Sequence, residues 1–231
     1  MEVDISYRPS FALATVTLVA GETIQAEGGA MVAMSSDLEM KTEATGGFLK
    51  SLTRSVFGGE SFFQNRYTAG QTGGSISVAP PLPGDIAVIE MAGEALLVQS
   101  GSYLASSEGI QVETIWEGAK SFFGGEGLIM LRVSGHGTLI ISSYGAIHSL
   151  QLAADQNYVV DSGHLVSIDE NMDYRVKKVA GWKSTLLSGE GLVIEITGPG
   201  VLTLQSRSQD SFLSWLVPKL PKQTYHSSSS S

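Results

Sequence analysis

The residues best suited to metal or acid–base chemistry are four histidines, His136, His148, His164 and His226. A metal centre built on β-strands needs three or four converging ligands, such as two histidines close together on one strand, a following carboxylate and a third histidine. No His-x-His pair occurs, and His136 lies in the glycine-rich stretch "SGHGTL". The sequence therefore predicts no metal site, and we expect His136 to be structural or solvent-exposed.

The sequence supports nucleophilic catalysis and phosphate binding no better than it supports a metal site. Ser143 and His148 are close in "SYGAIHS", but the Gly-x-Ser-x-Gly turn of a nucleophile elbow does not occur. The segment "GGEG" lacks the lysine of a P-loop and the spacing of a dinucleotide-binding loop. There are no cysteines, which excludes disulfides, thiolate metal sites and a cysteine nucleophile. We predict no catalytic residue and no cofactor.

One short phrase occurs three times, and each copy contains a Gly-Glu pair. The copies are "TRSVFGGESF", "KSFFGGEGL" and "KSTLLSGEGL", and they place Glu60, Glu126 and Glu190 at spacings of 66 and 64 residues. We expect the glycines to form a turn and each glutamate to accept hydrogen bonds from neighbouring backbone amides. The alternative is that the three carboxylates gather at a shared axis and bind a cation.

Strand-like segments follow each Gly-Glu pair, so we interpret the phrase as one corner of three similar β units. "SFFQNRYTA", "GLIMLRVSG" and "GLVIEITGPG" are each followed by a turn and a second strand, a pattern typical of a hairpin. A second phrase, consisting of a strand, a glycine turn and another strand, aligns on Gly29, Gly101 and Gly163.

These two phrases predict an all-β fold of three repeated units, covering approximately residues 3–78, 79–140 and 141–206. Units this short rarely bury an apolar face alone, so we expect them to pack side by side in one compact block with pseudo-threefold symmetry. Residues 207–222 are expected to form a C-terminal helix and tail, and the Ser-rich residues 223–231 to be disordered.

Four stretches carry a resemblance to a known family: "GGESFFQNRYTAG", "APPLPGDIAVIEM", "SGSYLASSEGIQVE" and "WEGAKSFFGGEGLIMLRVSGHGTLIISSYG". They resemble the bacterial, archaeal and mitochondrial family named for altered inheritance of mitochondria, over essentially Val3 to Lys222. The resemblance implies a triplicated β structure similar to the tryptophan RNA-binding attenuation protein, a short relative of the double-stranded β-helix, and homo-oligomeric assembly. It brings no established enzyme activity and no catalytic residues, and its mitochondrial members resemble organisers of inner-membrane architecture.

The charge distribution limits the partners of the chain. The formal charge is −9, which disfavours binding through phosphate contacts, so no nucleic acid is expected. Residues up to Glu170 have a net charge of −12 and residues 171–222 have +3, which fits either an anionic surface near the C-terminal end or ordinary solvated charges. The acidic start and the lack of a long apolar run predict a cytoplasmic protein, peripheral to a membrane at most.

Two stretches, "GFLKSLTRSVF" and "SQDSFLSWLVPKLPK", have the spacing of short amphipathic helices. The second offers Ser208 or Asp210 as an N-cap, and Pro218 ends it. Tryptophan and lysine beside a short apolar face suit an interfacial membrane helix, although both helices could instead cover the open ends of the β block. The candidate contact residues are Phe212, Trp215, Leu216 and Lys219 and, second, Leu49, Leu52 and Arg54.

We therefore expect a non-enzymatic scaffold or assembly protein that forms homo-oligomers, with a trimer as the candidate, and that associates with a membrane surface or a membrane-protein complex. The main alternative is a small-ligand-binding protein or enzyme with a pocket between the repeats, which would require converging titratable groups. A nucleic-acid-associated regulator is a third reading and would need a basic face.

Overall fold

The computed structural model of the protein describes residues 1–44, 63–116, 129–178 and 192–221. These residues form seventeen β-strands and one short α-helix, α1 (Gln209–Leu216). The first strands are β1 (Glu2–Ser6), β2 (Leu13–Leu18), β3 (Thr23–Glu27), β4 (Met31–Met34), β5 (Leu38–Ala44), β6 (Phe63–Ala69) and β7 (Gly74–Val78). The next are β8 (Ile86–Gln99), β9 (Tyr103–Ser107), β10 (Ile110–Trp116) and β11 (Ile129–Ser142). The last are β12 (Ile147–Leu152), β13 (Asn157–Asp161), β14 (Leu165–Asp169), β15 (Asp173–Lys178), β16 (Leu192–Thr197) and β17 (Gly200–Gln205). Three 3-10 turns are also present in these ranges, at Ser100–Ser102, Ser162–His164 and Val217–Lys219.

The strands form antiparallel sheets, as alternating side chains favour. In β2, for example, Ala14, Val16 and Leu18 are buried while the residues between them are more exposed. One sheet has the order β1-β2-β7-β4, and a second has the order β13-β16-β15. The largest runs β12-β17-β14-β8-β11-β9-β3-β6-β5, with β10 beside β11.

We divide the strands after β1 into segment 1 (β2–β7), segment 2 (β8–β11) and segment 3 (β12–β17). The buried apolar side chains form three clusters, each composed mainly of residues from one segment. Each cluster also contains side chains from a neighbouring segment, such as Leu104 in the first, Val166 in the second and Leu97 in the third. The segments therefore complete one another's cores.

The strands after the Gly-Glu pairs are present, but the hairpins predicted for them are wrong. β6 pairs with β3 and β5, whereas the next strand, β7, pairs with β2 and β4. In segment 2 the two stretches form one strand, β11, whose register shifts between Ser134 and His136. Gly135 between them has a φ of 121°, which only glycine adopts readily. The strand therefore continues beside β8 and exchanges β10 for β9 on its other side, instead of reversing on itself.

Closure of the block into a threefold ring is not seen within the ranges described above. No described strand links β4 of segment 1 to β13 of segment 3. Pseudo-threefold symmetry therefore stays a prediction. None of the described helices is long and apolar enough to cross a membrane.

Candidate functional site

Groups suited to catalysis do not converge in the described part of the chain. No group of three or more histidine, aspartate or glutamate side chains there could hold a metal ion. The Ser143 hydroxyl donates to the carbonyl oxygen of Gly145 at 2.7 Å, so it supports the turn between β11 and β12. His148 is exposed on β12, and His136 lies at the bend of β11. Six predicted site residues lie outside the described ranges: Leu49, Leu52, Arg54, Glu60, Glu126 and Glu190.

Two clefts test the alternative of a ligand pocket between repeats. One, of about 400 Å³, lies between the β2–β3 and β9–β10 turns. Its carboxylates are already engaged, since Glu22 accepts from the N-terminal amino group at 2.6 Å and Glu108 is paired with Arg66. The other, of about 320 Å³, lies beside α1, and there His164 Nδ1 is bonded to the carbonyl oxygen of Gln205 at 2.7 Å. Neither cleft brings together an acid and a base poised for catalysis.

The more informative geometry lies where the segments join. At the first junction β3 pairs antiparallel with β9, so that Ala26 faces Ala105 and Ile24 faces Ser107. At the second junction the C-terminal half of β8 pairs with β14, so that Val98 faces Ser167. Both junctions are buried, and Ala26, Ala105 and Val98 are all 0% exposed.

Both junctions use one register, counted from the repeated glycine in each turn. At the first junction Ala26, three positions before Gly29, faces Ala105, four positions after Gly101. At the second, Val98, three positions before Gly101, faces Ser167, four positions after Gly163. The glycines are Gly29, Gly101 and Gly163. The two junctions therefore have the same strand register.

The same bulge occurs on the incoming strand of each junction and recurs on β4. The register shifts within β4, β9 and β14 around Val32, Leu104 and Val166 respectively. Leu104 enters the core cluster of segment 1, and Val166 enters that of segment 2. The bulge thus inserts one apolar side chain into the neighbouring segment.

An ion pair crosses each junction at an equivalent place. Arg66 on β6 is paired with Glu108 across the first junction. Arg132 on β11 contacts Glu170 across the second, with 2.5 Å between Nε and Oε1. The hydrogen bond from Arg132 lowers the pKa of the Glu170 carboxyl below its ordinary value and raises the pKa of the guanidinium.

The first junction also contains a buried polar network around Tyr103, which is 0% exposed. The Gln64 amide donates to the Tyr103 hydroxyl oxygen at 2.7 Å, and the hydroxyl lies 2.8 Å from Ser106 Oγ. Burial raises the pKa of Tyr103 above its ordinary value, so the phenol stays neutral. These bonds satisfy the Tyr103 and Ser106 hydroxyls and the Gln64 N–H, which would be costly to bury alone, while the buried Gln64 Oε1 has no hydrogen-bond partner among the described residues.

Two strands correspond to the strands that form the junctions but have no strand of another segment beside them in the described ranges. We call β4 and β13 the outer edges, because β4 pairs there only with β7 and β13 only with β16. All four residues of β4 are exposed, and so are the first three of β13. The two strands hold five of the sixteen large apolar side chains exposed in the described ranges: Met31, Val32, Met34, Tyr158 and Val159.

The C-terminal helix begins after Ser208, one of the two N-caps that the sequence offers. Ser208 is the N-cap, and its hydroxyl accepts from the backbone N–H of Ser211 at 3.4 Å. Pro218 lies in the 3-10 turn that follows α1 and ends the helical segment.

The predicted contact residues on this helix divide into two pairs. Phe212 and Leu216 are half-buried, and the Phe212 ring meets Tyr144 edge-on with 6.2 Å between ring centres. Trp215 is 58% exposed, and the Lys219 ammonium lies 4.8 Å from its ring centre. No residue of α1 is buried. The helix therefore lies on the surface with apolar side chains facing solvent.

Sequence reasoning missed the outer edges because the local pattern does not mark them. Ala33 on β4 and Ala105 on β9 are the same residue at the same place in the repeated phrase, yet only Ala105 is buried. The available signal is order along the chain, since the first and last units of a linear array each lack one neighbour.

A family model shows the family of this chain, and a solved structure shows its fold. A family model described as mitochondrial biogenesis AIM24 matches residues 3–207. An uncharacterized protein of Streptococcus pyogenes serotype M6 is 26% identical over 229 residues, which cover 96% of this chain and 92% of that protein. The X-ray crystal structure of a Streptococcus pyogenes protein matches with a TM-score of 0.80 and 24% identity, covering 95% of this chain and 99% of the other. That similarity supports the all-β fold and carries no information on activity.

Proposed function

The chain belongs to the mitochondrial biogenesis AIM24 family, which confirms the resemblance found in its sequence. From this premise we propose that it is a non-enzymatic scaffold that assembles head to tail with copies of itself. One observation carries the proposal: β4 exposes four positions that are buried at both junctions inside the chain, and β13 exposes one such position, at Tyr158. An exposed apolar edge strand is a template for pairing with another chain. Placing β4 of one copy against β13 of another covers both edges.

The three structural repeats that we propose, for which the family resemblance implies a likeness to the tryptophan RNA-binding attenuation protein, are supported by the strand pairings. In segment 1, β7 pairs with β2 and β4, and β6 pairs with β3 and β5. In segment 3, β17 pairs with β12 and β14, and β16 pairs with β13 and β15. In segment 2, β8 and β11 each take the place of two strands. The repeats we propose correspond to these segments.

The internal register defines the contact expected between copies. Val160 should face Ala33 of the second copy, and Val159 should face Met34, because these positions match the facing pairs at both junctions. Val32 should enter the core of segment 3 in the other copy, as the equivalent bulge residues do at the junctions.

Because β4 and β13 are different strands, the contact is heterologous. Such contacts close into a ring when the rotation between copies divides a full turn and otherwise form open fibres. A closed trimer is the form that we propose.

An engineered cysteine pair tests the contact, since the chain contains no cysteine of its own. A Val159→Cys chain mixed with a Met34→Cys chain should form a disulfide, because facing Cα atoms in antiparallel strands are about 4.5–5.5 Å apart, within disulfide range. Neither variant should crosslink alone, because a heterologous contact never places a residue against its own copy.

Val176→Cys is the matched control, since Val176 is also exposed but lies on β15, at the other edge of the same three-stranded sheet. Mixed with Met34→Cys, it should give no crosslink. Equal crosslinking of the control, or a wild-type chain that stays monomeric by light scattering up to high concentration, would contradict the proposal.

A membrane surface or a membrane-protein complex is the alternative partner that we propose for the exposed side of α1. It is favoured by Trp215, which is exposed with Lys219 beside its ring, as in interfacial helices. Flotation with vesicles of graded anionic lipid content should separate the whole chain from one ending before Ser208. Salt-sensitive binding that is lost on truncation supports this partner, and no binding by the folded whole chain contradicts it.

A further inference from the structure

We infer that α1 of one copy packs against the N-terminal loop, residues 7–11, of the next copy. The inference rests on the proposed head-to-tail contact and adds a second part to the same interface. Both surfaces are apolar and open to solvent in the single chain, with Tyr7 73%, Phe11 71% and Trp215 58% exposed. Leu213, Val217 and Leu220 extend the exposed apolar side of the helical segment.

Helix α1 begins beside the outer edge β13. Gly163 lies in the turn that follows β13, and a Cβ placed on it would lie 2.5 Å from Oγ of Ser208, the N-cap of α1. Gln205, at the end of β17, donates from its side chain to the Gly163 carbonyl oxygen at 2.8 Å. The start of α1 is therefore fixed at the end of β13, where the next copy would join.

The N-terminal loop lies near the start of the other outer edge, β4. The carbonyl oxygen of Ala30, just before β4, accepts from Ala79 N–H at 3.0 Å. Ala79 begins the linker from segment 1 to segment 2, and Gly84 in that linker accepts from Ala12 N–H at 3.0 Å. The loop and the start of β4 thus bind the same linker.

Hydrogen bonds hold the N-terminal loop in place while its aromatic side chains face solvent. Arg8 donates two hydrogen bonds to the carboxylate of Asp85, at 2.8 and 3.0 Å, and Asp85 is 5% exposed. This bidentate pair ties the centre of the loop to the linker while Tyr7 and Phe11 stay exposed.

The order of segments and linkers along the chain predicts which two surfaces meet at the contact between copies. Segments 1 and 2 are each followed by a linker, residues 79–85 and 143–146, that crosses to the next segment. After segment 3 the chain forms α1 instead. Helix α1 therefore starts where a linker to a next segment would start, and residues 7–12 of the next copy lie where such a linker would end.

The charge of the helix favours a second copy over a lipid surface as its partner. Between Gln209 and Lys219 the charged side chains are those of Asp210 and Lys219, so the helical segment itself has no net charge, and Arg207 just before its N-cap is the one further basic residue beside it in the described ranges. An anionic membrane attracts a segment mainly through unbalanced lysine and arginine, at about 1 kcal/mol each. An uncharged apolar surface is better matched by another apolar surface, such as Tyr7 and Phe11.

Crosslinking tests this contact without removing the apolar side chains. Ser10 and Ser214 are exposed neighbours of Phe11 and of Trp215. A Ser10→Cys chain mixed with a Ser214→Cys chain should be joined by a short bismaleimide, and neither variant should be joined to itself. Val19→Cys replaces Ser10→Cys as the matched control, because Val19 is 65% exposed but follows the opposite end of β2.

The outcomes separate this inference from the proposed assembly. Joining of Ser10→Cys but not of Val19→Cys supports it. If Val159→Cys and Met34→Cys crosslink while Ser10→Cys and Ser214→Cys do not, the inference is wrong and the assembly stands. If neither pair crosslinks, both are wrong.

Affinity provides a second measurement. Phe11→Ser and Trp215→Ser should each weaken assembly about tenfold or more, because each removes an apolar side chain that the contact would bury. The double variant should weaken it by less than the product of the two factors, since both side chains belong to one contact. If Trp215→Ser instead lowers flotation with anionic vesicles and leaves the oligomer unchanged, the helix faces lipid and the inference is overturned.

Discussion

The junctions inside the chain and its two outer edges are made from the same repeated phrase but are buried to opposite degrees. Tyr103 and Leu104 at the first junction are both 0% exposed, whereas Met31 and Val32, at the same places on β4, are 37% and 59% exposed. Burial at these positions depends on whether a neighbouring segment is present. The outer edges therefore resemble one junction divided between the two ends of the chain.

The two kinds of region also differ in charge. Arg66 and Arg132 face glutamates across the junctions. At the outer edge, the position that corresponds to these arginines is Glu195, which is paired with Lys177 of its own chain. The contact between copies should therefore lack the crossing ion pair and depend more on apolar burial, so we expect it to be the weaker of the two.

The largest expected effect comes from a charge placed inside a junction. Ala105→Asp buries a carboxylate at a position that is 0% exposed, and it should lower the free energy of unfolding by about 3 kcal/mol or more. Denaturant unfolding followed by circular dichroism measures this loss. A variant as stable as the wild type would mean that the first junction opens easily.

The same substitution at an outer edge should separate assembly from folding. Ala33→Asp is exposed in the single chain, so the free energy of unfolding of the monomer should change by only about 0.5 kcal/mol or less. Assembly should weaken by about a hundredfold or more, because the contact between copies would bury the new carboxylate. Light scattering across a dilution series measures the oligomer, and an unchanged oligomer would break the comparison between β4 and β9.

A smaller effect is expected from the buried hydroxyl at the first junction. Tyr103→Phe removes the acceptor of the Gln64 amide, which is 2% exposed, and should cost about 1–3 kcal/mol in the free energy of unfolding. Met31→Leu, at the equivalent place on β4, is the control and should leave the unfolding midpoint in denaturant unchanged. Equal effects of the two substitutions would contradict the difference in burial.

The smallest effect should be the pH dependence of the ion pair at the second junction. The pKa of Glu170 is lowered in the folded chain by the hydrogen bond from Arg132. The stabilisation is therefore complete above the ordinary carboxylate pKa of about 4.3 and is lost as the pH falls through the lowered folded value. The difference in melting temperature between the wild type and Glu170→Gln should be present near neutral pH and shrink toward pH ~3. A difference that stays constant over that range would mean that the pair does not titrate as described.

The sequence contained most of the local structure. β-branched and aromatic runs between glycines predicted the strands, and Ser208 followed by an apolar run predicted α1, because strand alternation and N-capping are local effects. The neighbours of each strand were less accessible. The predicted hairpins failed because a glycine such as Gly135 can bend a strand toward a new neighbour as readily as it can reverse the chain.

The candidate site depends on what lies next to each unit, which no short stretch encodes. Val159 on β13 is 61% exposed, although its strand has the same pattern as the buried strands of the other units. Such differences arise from long-range packing, because similar local patterns adopt different exposures according to their neighbours.

The outer edges are unlike each other, and this would give the proposed assembly a direction. A chain with a disabled β4 keeps an intact β13, so it can accept one neighbour but cannot itself join the next. Mixed with normal chains in the proposed assembly, it would act as a terminator: a small fraction would be incorporated and would then stop growth or leave a ring open. Defects at one edge of this protein should therefore be dominant over normal copies, whereas defects that unfold the chain should only reduce its amount.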